Sequence, residues 1–244
     1  RLSMRIARPD GTFYVRAKGE EDPEPPKIGD VDVELFGKSA PAAVATFLAF
    51  ALGDPASAEA PTYASAILDE RGASSDGQQL PVVYAARRLR GVETRSIGGE
   101  QILVRSRDGG EVLSRNAELV AAKLRGEPSA VNHDAAGILT RQRGDAPQAF
   151  GLTVAGSKVL DATNQAFGRV VRDNNNLIEA VGALNAYSLD AVGPSTDVPG
   201  AAALYRAQKD AFRGAAKAFG DGRASKIFPG KLLRRVEITR VELL

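Results

Sequence analysis

The chain has 244 residues, 43% of them hydrophobic and 25% charged, a balance that predicts one soluble globular domain rather than a disordered chain. Cysteine is absent and histidine occurs once, which excludes disulfides, cysteine-ligated metal centres and sites built on several histidines. The net charge of +2 gives no overall field to attract nucleic acid, so we expect no nucleic-acid partner. With no cysteine and a single histidine we also expect no metal, and we expect no cofactor.

The first elements in chain order are strand-like. Residues 4–18 alternate around a Pro-Asp-Gly turn and predict a short hairpin, whereas residues 19–26 concentrate prolines and acids and predict an exposed loop. Val31, Val33 and Leu35 alternate with charged residues. This period of two predicts a strand with one buried face.

A helix is predicted next. Ser39 is a plausible N-cap, Pro41 suits the first turn, and apolar residues then recur at helical spacing as far as Leu52. The apolar run 40–52 is too short to span a bilayer, so no membrane-spanning segment is expected.

The middle of the chain is less regular. Residues 54–80 are rich in Ala, Ser, Asp, Gly and Pro and predict no defined element. Strand-like pieces follow at 81–85 and 101–104, and a short helix is predicted at 116–125. The arginines between the two strand-like pieces lack interleaved aromatics, which favours a solvated strand face over a phosphate-contacting patch.

The second half contains three short strands, two helices and a closing strand. The three strands suggest an antiparallel barrel or sandwich, and an asparagine of the Asn174–Asn176 cluster is the expected N-cap of the helix that follows. The predicted ranges are 138–140, 150–154 and 166–171 for the strands, 177–184 and 201–219 for the helices, and 234–241 for the last strand.

Several of these segments carry a resemblance to a known family. They read Val-Asp-Val-Glu-Leu-Phe from Val31, His-Asp-Ala-Ala-Gly-Ile-Leu-Thr from His133, and Phe-Gly-Leu-Thr-Val-Ala from Phe150, the last continuing without a gap to Phe-Gly-Arg-Val at Phe167. The chain resembles cyclophilin-type peptidyl-prolyl isomerases, whose motifs include Glu-Leu-Phe at a strand end, His-Thr-Gly-Pro-Gly-Ile-Leu-Ser, Phe-Phe-Ile-Thr-Thr-Ala and Phe-Gly-Arg-Val.

The resemblance implies a fold and a domain organisation. We expect a mainly β chain with a closed antiparallel cyclophilin-like β-barrel capped by two helices, and an additional C-terminal helix before the last strand. Residues 1–244 form a single domain in this reading, with 54–80 as a divergent insertion and 191–230 as an extra helical insertion. Insertions on a rigid scaffold often carry function, so partner contacts are expected there.

The resemblance also places a substrate groove. Gly151 stands where the family has a pocket phenylalanine, Val159 where many members have tryptophan, and Asn164 where the pocket histidine stands, whereas Leu160 keeps the family's residue type. The groove positions carried over are Gln142, Arg143, Phe150, Gly151, Val159, Leu160 and Asn164.

The catalytic arginine of the family has no clean counterpart. If Gly98-Gly99-Glu100 matches the end of the family's glycine-rich motif, Arg88 or Arg90 is the candidate, and an alternative start of the motif lies within 63–71. The phenylalanine, methionine and glutamine of that motif are missing in either case. The same alignment puts His133 outside the pocket, where a structural role is expected.

The groove residues bear directly on function. Prolyl isomerisation crosses a barrier of about 18 to 20 kcal/mol, and the family lowers it with a positioned guanidinium and an apolar pocket. A groove that has lost its aromatic wall predicts a binding, structural or assembly subunit with weak or no isomerase activity; the alternative is an active isomerase and folding factor.

The compartment is also an expectation from resemblance. The run Phe-Gly-Asp-Gly-Arg-Ala from Phe219 is similar to divergent cyclophilins of the chloroplast thylakoid lumen, and a chain that begins at Arg1 suits a mature form left after cleavage of a transit peptide. A lumenal protein would have a protein partner, such as a photosynthetic membrane complex on its lumenal side.

Overall fold

A computed structural model gives the fold. It describes residues 1–9, 11–13, 25–52, 62–74, 78–87, 92–97, 100–107, 110–114, 127–129, 131–187 and 230–244, with the backbone alone for the strands between 92 and 114. The described strands are β1 (Leu2–Ile6), β2 (Lys27–Leu35), β3 (Ile67–Ala73), β4 (Gln79–Ala85), β5 (Val92–Ile97), β6 (Glu100–Arg107), β7 (Gly110–Ser114), β8 (Ile138–Gln142), β9 (Phe150–Thr153), β10 (Asn164–Asp173) and β11 (Lys231–Val241). The described helices are α1 (Pro41–Leu52), α2 (Val159–Thr163) and α3 (Leu177–Gly182).

Eight of these strands close into a barrel. Their order is β1-β11-β3-β4-β9-β8-β10-β2, every neighbouring pair is antiparallel, and β2 pairs with β1 again to complete the ring. Apolar residues alternate along the strands because one face of each is turned to the interior: Leu2, Met4 and Ile6 of β1 are all buried. The expected mainly β fold with a closed antiparallel barrel is confirmed.

Two helices share the apolar core of the barrel. On α1, the ring of Phe47 lies 5.1 to 5.3 Å from the rings of Tyr63, Phe150 and Phe167. On α3, Leu177 and Val181 are fully buried in the same core. The predicted helix after Ser39 and the predicted helix after the asparagine cluster are therefore both present, and both cover the barrel.

The side chains that cap these two helices are not the expected ones. The first free N–H groups of α1, those of Ala42 and Ala43, donate to the two carboxylate oxygens of Glu127 at 2.7 and 3.0 Å, so a distant acid replaces Ser39. The first N–H groups of α3 donate to Asp173 at 2.7 and 3.0 Å. Asn176 precedes α3 in a left-handed conformation and its side chain makes no cap bond.

Several strands were missed in the sequence. Ile67–Ala73, inside the range 54–80 interpreted as an insertion, is β3, and it pairs with β4 and β11 as an integral part of the barrel. The predicted hairpin within residues 4–18 would pair β1 with the residues that follow its turn. Both sides of β1 are instead paired with β2 and β11. The expected helices at 116–125 and 201–219, the loop at 19–24 and the insertion at 191–229 lie outside the described residues.

A second, smaller sheet lies in the chain between β4 and β8. It has the order β5-β6-β7, with Val92 opposite Arg105 and Leu103 opposite Ser114. The strand predicted at 101–104 is β6, whereas β5 and β7 were not predicted. This meander belongs to the long connection from β4 to β8, two barrel strands that both pair with β9.

The two ends of the connection between α3 and β11 lie next to each other. The N–H of Gly230 donates to the carbonyl of Tyr187, and the N–H of Tyr187 donates to the carbonyl of Lys231, both at 2.7 Å. Two adjoining backbone hydrogen bonds therefore join the ends of segment 188–229. Among the helices of the described ranges, none is both long and apolar enough to cross a lipid bilayer.

Candidate functional site

A small apolar cluster lies outside the barrel core, at the position of the expected groove. Val83 and Ala85 of β4 belong to the main core, whereas the alternate residues Val82 and Tyr84 form a separate buried cluster with Leu160 of α2. Because successive side chains of a strand point to opposite faces, this cluster lies on the other face of the sheet and is covered by α2. We call Val82, Tyr84, Gly151, Leu160 and Asn164 the Tyr84 cluster.

The glycine in this cluster determines how closely the aromatic ring approaches the sheet. A Cβ atom on Gly151 would lie 2.9 Å from Cγ2 of Val82 and 3.0 Å from Cδ1 and Cε1 of Tyr84. Such distances are shorter than a van der Waals contact, so the ring lies directly on the backbone of β9. The missing side chain at Gly151 is the space that Tyr84 fills.

The hydroxyl end of Tyr84 is also held inside the protein. The side-chain amide of Asn164 donates to the hydroxyl oxygen at 2.8 Å, and only 2% of Tyr84 is exposed. Burial is the largest cause that raises the pKa of Tyr84 above its usual value, since it disfavours the phenolate. Tyr84 is therefore a neutral, enclosed side chain.

An arginine covers the ring. The guanidinium carbon of Arg87 lies 3.7 Å from the centroid of the Tyr84 ring, within the range of a cation–π contact. The same guanidinium donates from Nε to Asp145 at 2.9 Å, from Nη1 to Glu70 at 2.6 Å and from Nη2 to the amide oxygen of Gln142. We call Arg87, Glu70, Gln142 and Asp145 the Arg87 network.

The structure brings some of the predicted groove residues together and separates others. Gly151, Leu160 and Asn164 form the Tyr84 cluster, and Gln142 belongs to the adjoining Arg87 network. Phe150 instead faces the barrel core, 4.9 Å from the Tyr63 ring. The two remaining predicted residues, Val159 and Arg143, are exposed at the surface.

Sequence reasoning did not identify the arginine at this site. Arg88 and Arg90, the predicted candidates, lie outside the described residues, and Arg87 directly precedes Arg88. Arg71, at the alternative position, donates from Nη2 to the carbonyls of Val181, Gly182 and Leu184 at 3.0 to 3.4 Å. Arg71 thus satisfies the C-terminal end of α3 and takes no part in the Tyr84 cluster.

The single histidine links the strand and the helix that frame this site. Nδ1 of His133 lies 2.8 Å from the Asp161 carboxylate of α2, and Nε2 lies 2.7 Å from the Thr140 hydroxyl of β8. Both ring nitrogens are engaged and the imidazole is fully buried, so substrate has no access to it. This arrangement supports the structural interpretation of His133.

Asp161 predicts a specific response to acid. Its pKa lies below the usual value, first because the His133 side chain donates to the carboxylate and second because the His133 backbone N–H does so. A depressed pKa in the folded state stabilises the fold at neutral pH, and this contribution disappears as the pH falls through the acid range below 3.8. Urea denaturation at neutral pH and again in that acid range measures this. The free energy of unfolding should fall less on acidification in Asp161→Asn than in the wild type. Equal losses would contradict the assignment.

Other chemistry at the site is limited. Among the described side chains, no three from His, Asp and Glu lie close enough together to hold a metal ion. A separate cavity of about 220 Å³ lies at one end of the barrel, between α1 and the two chain ends, and is lined mainly by leucine and valine.

Comparison of the chain with protein-family models and with curated proteins finds no match in either.

Proposed function

We propose that this protein is a cyclophilin-type barrel with a closed proline groove, which serves as a binding or assembly subunit and has weak or no isomerase activity. The observation that carries the proposal is the Tyr84 ring lying on the backbone at Gly151. An isomerase of this family holds the pyrrolidine ring of its substrate in an apolar pocket, and here the Tyr84 ring packs against Leu160 and the backbone of Gly151, two of the predicted groove positions.

The apolar surface of the cluster has no room for a second ring. Leu160 is fully buried and Tyr84 is 2% exposed, so their contacts are made with each other and not with solvent. A pocket that accepts a ligand is concave and largely preformed. In the described structure, a substrate proline could contact these two side chains only after one of them moved.

The guanidinium of Arg87 already has hydrogen-bond partners within the protein. The catalytic arginine of this family directs N–H donors at the prolyl nitrogen as the amide twists. Arg87 directs its donors at Glu70, Asp145 and Gln142, and two of these partners are carboxylates that a neutral peptide would have to displace. Charge-assisted hydrogen bonds of this kind are stronger than those to a neutral amide.

An isomerisation assay tests this proposal. A protease-coupled or exchange-NMR measurement on a set of X-Pro peptides should show no acceleration over the uncatalysed reaction, which takes tens of seconds or longer. The variants Arg87→Ala, Arg88→Ala and Arg90→Ala should behave like the wild type. Arg169→Ala is the matched control, because Arg169 is an exposed arginine outside the predicted groove.

The second candidate function is an active isomerase with an unusual pocket. The observation that favours it is the guanidinium of Arg87 over the ring of Tyr84, which packs with the buried Leu160, since a guanidinium and an apolar cluster are the two parts of the family's machinery. A wild-type rate above background that collapses in one of the three arginine variants, while Arg169→Ala retains it, would replace the first proposal with this one.

The partner and the compartment are part of the proposal and rest on the sequence resemblance. The protein would contact a protein partner, such as a photosynthetic membrane complex facing the thylakoid lumen, through the segments within 54–80 and 191–230 that connect barrel elements. Affinity capture from lumenal extracts with the wild type tests this, with a variant shortened between Tyr187 and Gly230 as the matched control. Equal recovery of every protein with both baits would argue against contacts through 191–229.

A further inference from the structure

We propose, building on the proposed function, that the closed groove is an occluded site rather than a lost one: Tyr84 is its internal occupant and the Arg87 network holds it in place. The ring rests on the bare backbone of Gly151 and beside Leu160, which are two of the predicted groove positions. The site becomes accessible to a small apolar ring, such as the pyrrolidine of an X-Pro peptide, when Arg87 moves away.

The contacts of Arg87 are those of a clamp built from separate segments. Glu70 lies on β3, Gln142 lies on β8, and Asp145 lies in the turn between β8 and β9. One side chain thus joins three parts of the chain across the Tyr84 ring. Its ion pairs remain partly open to solvent, with 18% to 23% of each side chain exposed, so a competing group can reach them.

The backbone that positions Arg87 is strained. Ala86, between the end of β4 and Arg87, has φ of 58°, in the left-handed region that non-glycine residues rarely adopt. Strained residues of this kind persist where the surrounding structure holds them and are frequent at switch regions and ligand clamps. Here the turn at Ala86 brings the guanidinium back over the ring of Tyr84, three residues earlier.

The surface beneath the ring has the composition of a binding site. Removal of the phenol ring would uncover Val82, Leu160 and the Cα of Gly151 as an apolar floor, with the side-chain amide of Asn164 at its edge. An apolar floor with a single hydrogen-bonding group is suited to a small ring that carries a carbonyl. The six-membered phenol ring of Tyr84 is larger than the five-membered ring of proline, so the space that it vacates is large enough for a proline ring.

Tyrosine nitration by tetranitromethane, read by mass spectrometry of the intact protein and its peptides, tests the clamp. In Arg87→Ala, nitration of Tyr84 should rise about tenfold over the wild type, because the ring opens locally more often. Tyr63, 1% exposed in the barrel core, is the internal control and should stay protected. Arg169→Ala, which breaks an exposed ion pair with Glu34, is the matched control and should leave Tyr84 protected.

Peptide binding tests the site. Tyr84→Ala and the less disruptive Tyr84→Val should each bind an Ala-Pro peptide, seen as saturable shifts of the Asn164 side-chain NMR signal that the wild type does not show. Unchanged nitration of Tyr84 in Arg87→Ala would overturn the clamp, and so would an equal rise at Tyr63. Folded Tyr84 variants that bind no peptide would overturn the occluded site.

These outcomes are distinct from failure of the proposed function. Isomerase activity in the wild type would refute the closed groove itself. An inactive wild type with unchanged Tyr84 nitration in Arg87→Ala would leave the proposed function standing and refute only the role of Arg87.

Discussion

Glu127→Ala is expected to lower the free energy of unfolding by about 3 kcal/mol, since it removes a buried, charged acceptor of three hydrogen bonds. The carboxylate accepts from the N–H groups of Ala42 and Ala43 and from the side-chain amide of Gln165, the last at 2.6 Å, and only 7% of Glu127 is exposed. Its negative charge also lies at the positive end of α1. Alanine would leave these donors buried without an acceptor.

Urea denaturation at neutral pH measures this loss, with two variants for comparison. Glu127→Gln keeps one acceptor oxygen and should lose roughly half as much stability as alanine does. Ser39→Ala removes the residue that the sequence indicates as the cap and should cost less than about 0.5 kcal/mol, as surface substitutions usually do. If Ser39→Ala proved as costly as Glu127→Ala, the capping role would belong to Ser39.

His133→Ala is expected to cost about 3 kcal/mol for a different reason. It leaves a cavity where a fully buried ring was, and it removes the imidazole hydrogen bonds of both the Asp161 carboxylate and the Thr140 hydroxyl. Because these groups belong to α2 and β8, the loss should also loosen α2 against the barrel. Faster amide hydrogen exchange across α2 than elsewhere would show this local effect.

The neighbouring residue provides the control for His133. Asp134 is exposed, so Asp134→Ala should change stability by less than about 0.5 kcal/mol and leave exchange in α2 unaltered. His133→Asn retains polar atoms near Asp161 and Thr140 and should recover part of the loss. A loss below about 1 kcal/mol for His133→Ala would mean that the link between α2 and β8 does not depend on the imidazole.

Much of the barrel could be predicted because its signals are local. Val31, Val33 and Leu35 alternate as a half-buried strand must, and the apolar residues of α1 recur at helical spacing. The strand β3 was not predicted because its sequence, Ile-Leu-Asp-Glu-Arg-Gly-Ala, does not alternate regularly between apolar and polar residues. Arg71 is buried, although an arginine in a strand usually indicates a position facing solvent. Its partners at the end of α3 are about 110 residues away along the chain.

The candidate site was predicted in part, for the same reason. Gly151, Leu160 and Asn164 were placed by an ungapped stretch of sequence, and they do lie together. Tyr84 and Arg87 were missed because nothing in the local sequence shows that an alanine takes the left-handed turn that returns an arginine over a tyrosine. The Glu127 cap of α1 was missed likewise, since Glu127 lies 85 and 84 positions from the two N–H groups that donate to it.

The pair of hydrogen bonds between Tyr187 and residues 230 and 231 has a consequence for how this chain can vary. With the two ends of the connection held side by side, the distance that the chain must bridge into β11 is the same whatever lies between them. Each doubling of such a connection costs only about 0.6 kcal/mol of closure entropy. Segment 188–229 is accordingly a place where the chain can vary in length at little cost, and where a fluorescent reporter domain can be inserted while the barrel keeps its register.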